Sequence, residues 1–531
     1  MSVQDPKPDP TSRHVDFTPQ EGSPSSQEEG PTRKQWVAAA HRNQTNLAEV
    51  EIDSRASRHS HFLKRPRAWQ YKPDGLHNSL EKATPVFRPD SRSDSQGDSD
   101  EEERSTDNPA KQLSRLDLFI DLIWVGIIAN LSATFSEQAF TESGVSIRDT
   151  VLEFILLFLP IWRVWDHLRS FCINHFDDDL FQRNFVVWIL ILAVVFGINA
   201  PYAFVLYGGN SLKLLIGIYL AAQASFIGAY AVQAIFIPFL RRQVLFRLCA
   251  TSISTGLWIA AIFVPYPGKI GLIFGATFAE YPVDVFLRSP RADRHLTPGW
   301  KLIPDIDHYA ERHEGFYIII LGEGVFRLIE GSPSGLGLHQ GTTTIITALL
   351  MYYALHWLYF NGDSSKKFVH ALRRTWWKPV LWQFFHVVMF ASLLIVATST
   401  LFLVEHRSDP KVATDTVAAR EETDEAENKP DAILNALWSA SISLAVALLS
   451  MTLIALLNRP LDPPKTLLVN NRYVRLAPRL PVIITIACLP QIKDLTGTWW
   501  CGAVNWLLWT LFFWELIVGL EKDWRFIEPK G

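Results

Sequence analysis

Residues 305–330 read DIDHYAERHEGFYIIILGEGVFRLIE, and this stretch determines how the whole chain is interpreted. It opens with acids and histidines, becomes apolar from Phe316 to Leu321, and then places Gly322 and Glu323 where a membrane helix would be deepest. A carboxylate in the middle of a membrane span costs about 2.5–3.5 kcal/mol on insertion scales, so it usually faces a partner or a water-filled cavity. The stretch therefore predicts a membrane protein with a polar interior.

The composition divides the chain into two unlike parts. Residues 1–112 are rich in Pro, Ser, Asp, Glu, Arg and Gln and have too little apolar content to fold alone, so they are predicted to form a disordered tail. Within this tail, residues 61–72 (HFLKRPRAWQYK) mix basic and aromatic side chains, which predicts either contact with an anionic leaflet or a solvated basic patch. Residues 113–520 are dominated by Leu, Ile, Val, Phe and Trp, in blocks long enough to cross a bilayer.

Charge, cysteine content and motifs exclude several classes of protein. A net charge of −4 argues against a general nucleic-acid binder. The expected partner of the apolar segments is the lipid bilayer. The four cysteines show no paired spacing, so the sequence predicts neither a zinc site nor a disulfide framework. The sequence shows no Gly-rich phosphate loop, nucleophile elbow or Cys-His arrangement in a usable context. We therefore expect no enzymatic activity, no metal and no cofactor.

Apolar blocks predict about 12 membrane spans from residue 116 onward. The expected fold class is all-α, a polytopic transmembrane helical bundle. The eleventh block is short and holds Pro481 and Pro490, so it is either re-entrant or extended into residues 475–480. The approximate spans are 116–136, 147–165, 184–206, 212–237, 244–264, 269–287, 314–330, 342–360, 380–403, 432–457, 480–490 and 499–520.

The charges between these spans alternate along the chain. Loops after the even-numbered spans are basic, whereas the others are poor in basic residues, and the longest of those, residues 404–431, is acidic. Because basic loops stay in the cytoplasm, both termini are predicted to be cytoplasmic and residues 404–431 to lie on the opposite side. The plasma membrane is the default expectation. The basic residues are Arg169, Arg183, Arg241, Arg242, Arg288, Arg291, Arg294, Lys301, Lys366, Lys367, Arg373, Arg374, Lys378, Arg459, Lys465, Arg472 and Arg475.

Two acids lie at the start of the first predicted span. Asp117 and Asp121 are four residues apart, so a helix places them on one face. Two carboxylates this close repel each other, so that one is protonated or a cation neutralises the pair. Asp121 then serves either a permeation pathway or the packing of helices, through a bond to an arginine or a backbone group. The sequence leaves both alternatives open.

The opening stretch contains a similar ambiguity. Glu323 and Arg327 are spaced for an ion pair on one helix, which serves either a transport site or a self-neutralising structural pair. His308, Glu311 and His313 form the pattern H-x-x-E-x-H, which matches neither H-E-x-x-H nor H-x-x-E-H. We therefore expect these three residues to lie at the entry to the seventh span and not at a metal site.

Further polar residues fall inside predicted spans. Each one is most simply an interhelical hydrogen-bonding residue, but together they are too many for a purely apolar bundle. A polar interior is therefore expected. These residues are Glu153, Asn199, Glu280, Asp284, His356, His386 and Glu515.

A short internal similarity suggests two halves. Residues 115–119 and 312–316 share the pattern Arg-x-acid-x-Phe, each at the entry to an odd-numbered span. Twelve spans would then divide into halves at residues 113–310 and 311–520, as in transporters built from repeats. Coincidence is the alternative explanation, because the shared pattern is short.

Two motifs resemble the low temperature requirement protein A family. They are LDLFIDLIWV at residues 116–125 and HYAERHEGFYIIILGEGVF at residues 308–326, and the likeness covers residues 113–520. The resemblance implies a multi-pass membrane protein, and the long tail and wide acidic loop indicate a fungal member. The positions that carry the motifs are Asp117, Phe119 and Asp121 in the first and Glu311, Arg312, Gly322 and Glu323 in the second.

The chain departs from the family pattern at three places. Ile120 replaces an aromatic residue, residues 313–315 disturb the usual Phe-Gly stretch after Arg312, and Gly324 stands where a small polar residue is common. These departures bear on the packing around Arg312 more than on membership. The family is named for a growth phenotype in the cold, and the resemblance implies no settled biochemical activity.

The leading hypothesis from the sequence is a transporter or channel for an ion or small solute. Its candidate polar core consists of Asp117, Asp121, Glu311, Arg312, Glu323 and Arg327, and Asp121 is expected to be the counterpart of Glu323. The alternative is a structural or regulatory membrane protein that supports membrane function or growth in the cold, without transport.

Overall fold

The computed structural model describes residues 71–73, 109–140, 146–175, 179–204, 209–265, 267–302, 305–330, 337–338, 340–406, 429–463, 466–493 and 495–522. Within the tail predicted to be disordered, Tyr71–Pro73 forms a strand and residues 109–112 belong to the first long helix. The rest of the tail and most of the acidic loop, residues 407–428, lie outside the described residues, so the predictions made for them stay predictions.

Helices account for nearly all of the described chain. Short 3₁₀ turns extend or connect them at Ala200–Tyr202, Pro238–Leu240, Ala371–Arg373 and Leu489–Gln491. The α-helices are α1 (Pro109–Phe140), α2 (Ile147–His175), α3 (Leu180–Asn199), α4 (Gly209–Phe236), α5 (Arg241–Phe263), α6 (Gly268–Leu287), α7 (Pro290–Leu296), α8 (Ile306–Ile329), α9 (Gln340–Asn361), α10 (Trp377–Glu405), α11 (Lys429–Leu457), α12 (Arg472–Leu476), α13 (Arg479–Cys488) and α14 (Gly497–Val518).

Each predicted span falls on a helix. Ten helical segments among the described residues are long and apolar enough to cross a membrane, and one of them, Arg472–Gln491, joins α12, α13 and the following turn. The eleventh span is therefore extended at its N-terminal side. The two remaining long helices, α2 and α8, have 29 and 24 residues and carry more charge. At 1.5 Å per residue, 24 residues reach about 36 Å, which is enough to cross the bilayer core. The predicted all-α membrane bundle is confirmed.

The outer surface of the bundle is apolar, as a lipid environment requires. Large side chains such as Ile253, Phe263 and Ile329 are 67%, 79% and 69% exposed. A soluble protein rarely exposes so many large apolar residues together. At the centre, α10 is mostly buried and packs against α11, α8, α1 and α14.

Two pairs of short strands join connections between helices. β1 (Tyr71–Pro73), from the tail, pairs antiparallel with β2 (Trp300–Leu302), which lies between α7 and α8. β3 (Phe368–Val369) pairs with β4 (Arg459–Pro460), so the connection after α9 is joined to the one after α11. We call the end of the bundle that holds these connections the basic face, because the loops rich in Arg and Lys lie there.

A glycine permits close contact between α14 and α10. A Cβ added at Gly497 would meet the backbone oxygen of Leu403 and would lie 3.0 Å from the Leu403 Cβ. We expect Gly497→Ala to destabilise the protein by about 1–3 kcal/mol, because backbone has to move apart. Gly502→Ala on the same helix is the control, since a Cβ there meets nothing within 4 Å. Thermal unfolding in detergent measures both; equal midpoints would contradict this packing.

Candidate functional site

A cavity opens at the basic face between the ends of several helices. Its volume is about 380 Å³, and its wall is formed by the ends of α2, α4, α6 and α7 and the beginnings of α5, α8 and α10, together with Lys301 and Leu302 of β2. Because helices that end here meet helices that begin here, their charged terminal residues converge on one space. The charged residues on the wall are Asp166, Arg247, Asp284, Arg288, Asp293 and Lys301.

Asp284 joins the cavity to the interior of the bundle. Its carboxylate accepts a hydrogen bond from Nη1 of Arg163 at 2.7 Å and lies 3.6 Å from Nη2 of Arg247. Arg163 also forms an ion pair with Glu280 at 2.8 Å, one helical turn deeper on α6. A line of alternating charge therefore runs from the cavity wall toward the centre of the membrane.

Glu280 is the deepest acid of this line, and its oxygens are fully occupied. Apart from Arg163, it accepts hydrogen bonds from Tyr219 at 2.6 Å, from Gln223 at 2.6 Å and from Ser254 at 2.6 Å. Trp258 donates a further bond of 3.1 Å. This one carboxylate thereby connects α2, α4, α5 and α6, which offsets the cost of burying its charge. Arg163 is the charged partner of Glu280, and the four hydrogen-bond donors are neutral side chains.

A second buried cation lies behind the other side of the cavity. Arg169 is 1% exposed, forms an ion pair with Asp166, donates to Nδ1 of His313 at 2.8 Å, and stacks 3.7 Å from the Tyr309 ring. The sequence assigned Arg169 to a basic loop, and this was wrong. Helix α2 continues to His175, so Arg169 is inside the bundle and bound by an acid.

Arg288 differs from these buried arginines because it is exposed and follows directly after α6. Although Arg288 is exposed at the surface, the helix ends around it partly desolvate its guanidinium, which lowers the pKa; the nearby Tyr309, Asp166 and Asp284 outweigh this and raise the pKa above its usual value. Arg288 is therefore a permanent positive charge on the cavity wall. Nearby, burial and the charge of Arg373 lower the pKa of His370 to about 4, so that this imidazole is neutral at pH 7.

The two family motifs meet each other, although they are 191 positions apart. Arg312 of α8 binds Asp121 of α1 with both terminal nitrogens, at 2.8 and 3.0 Å, and Trp165 donates to Asp121 at 3.1 Å. Asp117 lies 3.6 Å from Arg312 and 3.0 Å from Nε2 of His308. Of the alternatives left open by the sequence, the arginine bond is the one that Asp121 makes. The two acids are neutralised by residues of the second motif.

Glu323 has a separate arginine partner, on its own helix. Nε of Arg327 lies 2.8 Å from Glu323, and Nη2 of Arg327 donates to the backbone oxygen of Ala129 at 2.7 Å. Gly324 is explained by packing, because an added Cβ would lie 2.7 Å from Cζ of Tyr352. The pair therefore fastens α8 to α1 and leaves no space for a larger residue beside it.

The six residues of the predicted polar core do not form one site. Arg312 and Glu323 are 11 residues apart on α8, which is about 16 Å. Asp121 is therefore not opposite Glu323, as the sequence suggested. Glu311 projects outward with its side chain 73% exposed, and none of the six residues lines the cavity. His308 and His313 contact different partners, and no group of three metal-ligating side chains occurs in the described part of the chain.

One further buried ion pair was not predicted from the sequence. Arg479 binds Glu515 with two nitrogens, at 2.6 and 2.9 Å, and donates to the backbone oxygen of Gly362 at 2.8 Å. Arg475, which was counted with the basic loops but also falls in the alternative extension of the eleventh span, is 2% exposed and donates to the backbone oxygen of Asp363 at 2.7 Å. The signal for such arginines was present, because each unpaired acid inside a span requires a cation.

Together these observations define an all-α, multi-pass membrane protein whose interior holds arginine–carboxylate pairs and whose basic face opens into a charged cavity. The chain belongs to the low temperature requirement A family. The family model described as "Bacterial low temperature requirement A protein (LtrA)" matches residues 112–514, which agrees with the extent of the resemblance in the sequence.

One curated relative is an uncharacterized protein of Rhizobium meliloti. It is 25% identical to this chain over 268 residues, which is 47% of this chain and 58% of the relative. The match thus covers less than two thirds of the relative's length. No solved structure matches the chain significantly.

Proposed function

We propose that this protein transports an ion or small charged solute across the membrane, and that the cavity at the basic face is the entrance to its site. The observation that carries this proposal is the cavity of about 380 Å³ with Asp284 on its wall and the Arg163–Glu280 pair directly beneath. Charged residues inside a membrane most often mark the route of a substrate or proton. The cavity leads to such residues from the aqueous side.

The orientation forms part of the proposal. Basic connections gather at the end of the bundle that bears the cavity, and basic loops are retained on the cytoplasmic side. The cavity then faces the cytoplasm, as do both termini. We further propose the plasma membrane as the location.

A route through the bundle requires helices that can separate. Arg163 is the main tie between α2 and α6, since it binds both Glu280 and Asp284. A charged solute in the cavity competes for Asp284 or for Arg247, whose mutual distance of 3.6 Å makes their ion pair the weakest of the set. Exchange of partners at this position is a physical means of coupling solute binding to helix movement.

A structural or regulatory role without transport is the second candidate. It is favoured by the complete pairing of the deepest acids, since Asp121, Glu280, Glu323 and Glu515 each bind an arginine. Pairs of this kind connect helices and need no solute. Under this hypothesis the cavity is a consequence of loop packing.

Flux measurements on reconstituted protein distinguish the two candidates. We expect flux of at least one of K⁺, Cl⁻ or H⁺, or of a small organic anion, above that of protein-free liposomes. Arg247→Gln and Asp284→Asn should reduce this flux, because both residues line the cavity. Each loses a charge-assisted contact worth about 1.5–3 kcal/mol, which corresponds to a change of about 10- to 100-fold.

The matched control is Arg242→Gln, an exposed arginine on the same helix as Arg247 that lies outside the cavity wall. Its flux should equal that of the wild type. Flux no higher than in empty liposomes under every gradient tried would reject transport and leave the structural role. If Arg242→Gln and Arg247→Gln reduced the flux equally, transport would not depend on this cavity.

A further inference from the structure

We infer that the cavity at the basic face binds a small anion bearing a carboxylate or phosphate group, held by Arg288 and Arg247. This names the chemical class of the solute and rests on the same cavity as the proposed function. Binding can nevertheless be measured without transport.

Two of the three acids on the cavity wall, Asp166 and Asp284, are already neutralised from behind. Asp166 is bound by Arg169, and Asp284 is bound by Arg163. Neither of these arginines lies on the wall of the cavity, so each acts from inside the bundle. A cation that approaches Asp166 or Asp284 would therefore find a carboxylate whose charge is already compensated, and it would compete with a buried guanidinium at short distance.

Two arginines on the wall, Arg288 and Arg247, are less fully bound by protein groups than Asp166 and Asp284 are. Arg288 is exposed, and Asp166 and Asp284, the two carboxylates that raise its pKa, have arginine partners of their own. Arg247 lies 3.6 Å from Asp284, which is longer than a good charge-assisted hydrogen bond. The two guanidinium groups therefore add positive charge to the wall without being fully used by protein contacts.

The size and the chemistry of the cavity agree with an oxyanion. A volume of about 380 Å³ falls at the lower end of the range for small-molecule sites. Guanidinium groups bind carboxylate and phosphate with two parallel hydrogen bonds, which a halide cannot accept in the same way. Tyr230 also lines the cavity, and its ring supports the Arg247 guanidinium, whose Cζ lies 5.3 Å from the ring centroid.

Calorimetric titration of the purified full chain with inorganic phosphate and with succinate tests the inference. We expect saturable binding of at least one of them, weakened about 10- to 100-fold in Arg288→Gln. Arg288→Lys should recover part of the affinity, since it keeps the charge but loses the paired geometry. The control is Arg294→Gln, an exposed arginine on α7 that is absent from the cavity wall.

The phosphate group could belong to a lipid headgroup and not to a soluble anion. A second experiment distinguishes these two ligands. The wild type and Arg288→Gln are placed in nanodiscs of phosphatidylcholine with or without phosphatidic acid, and bound lipid is counted by native mass spectrometry. Arg288-dependent retention of phosphatidic acid supports the anion site with a lipid as its ligand. Arg288-dependent binding of free phosphate or succinate supports it with a soluble ligand.

Two results would overturn the inference. One is the absence of binding by phosphate, succinate and phosphatidic acid to protein that unfolds at the wild-type temperature. The other is binding that Arg288→Gln and Arg247→Gln leave unchanged, or that only a cation such as K⁺ produces. Anion binding without any flux would instead preserve this site while rejecting the proposed transport.

Discussion

Replacement of Arg163 with leucine is expected to cost about 3–5 kcal/mol of stability. Arg163 is 6% exposed and lies 2.8 Å from Glu280 and 2.7 Å from Asp284. Leucine fills much of the same volume, but it leaves Glu280 without its cation and leaves Asp284 with only the 3.6 Å contact to Arg247. Breaking a buried pair is costly because the remaining charge can neither return to water nor find another partner.

Thermal unfolding and size-exclusion profiles in detergent measure this loss. The contrast is Arg373→Leu, because Arg373 pairs with Asp307 at 2.7 Å where both side chains are more than half exposed. An exposed pair contributes about 0–1 kcal/mol, so this variant should unfold close to the wild-type temperature. Adding Asp284→Asn to Arg163→Leu should recover part of the loss, since it removes the charge of a carboxylate that keeps only the 3.6 Å contact to Arg247. A tolerant Arg163→Leu variant, as stable as Arg373→Leu, would show that the line of charge is not what holds α2 and α6 together.

Breaking the contact between the two family motifs should have an effect of similar size. We expect Arg312→Leu to destabilise the bundle by about 3–5 kcal/mol, because Asp121 and Asp117 are both 3% exposed and lose their shared guanidinium. Asp121→Asn should be milder, since Arg312 keeps Asp117 at 3.6 Å. The double variant should be more stable than the sum of the two single losses predicts, by about 0.5–3 kcal/mol.

Glu311→Gln is the matched control for this double-mutant cycle. Glu311 precedes Arg312 in the chain, yet its side chain is 73% exposed, so the substitution should change stability by no more than about 0.5 kcal/mol. Strict additivity of Asp121→Asn and Arg312→Leu would contradict a direct bond between the motifs. The cycle also bears on function, because a purely structural pair should change the yield of folded protein and not the flux per folded molecule.

Individual residues show which ion pairs could be predicted from the sequence. The pair formed by Glu323 and Arg327 was predictable, since residues four apart on one helix are neighbours whatever surrounds them. The bond between Asp121 and Arg312 was open, because either a cation, a proton or an arginine could have satisfied that acid. The role of Arg169 was misassigned, since the apolar content of α2 ends before the helix does, whereas Arg475 lies on the extension that was one of the two alternatives for the eleventh span.

The sequence by itself determined that this protein is an all-α bundle of membrane helices, and it also determined the family. Hydropathy and the charge of loops are local properties that sum along a chain, so they can be added up without knowing which helices touch. Only the tertiary structure decided which arginine neutralises which acid and where a cavity opens. These depend on how far each helix extends past its apolar part and on which helices pack together. Arg163 meets Asp284, and Arg312 meets Asp121, across 121 and 191 positions, distances over which no sequence spacing carries information.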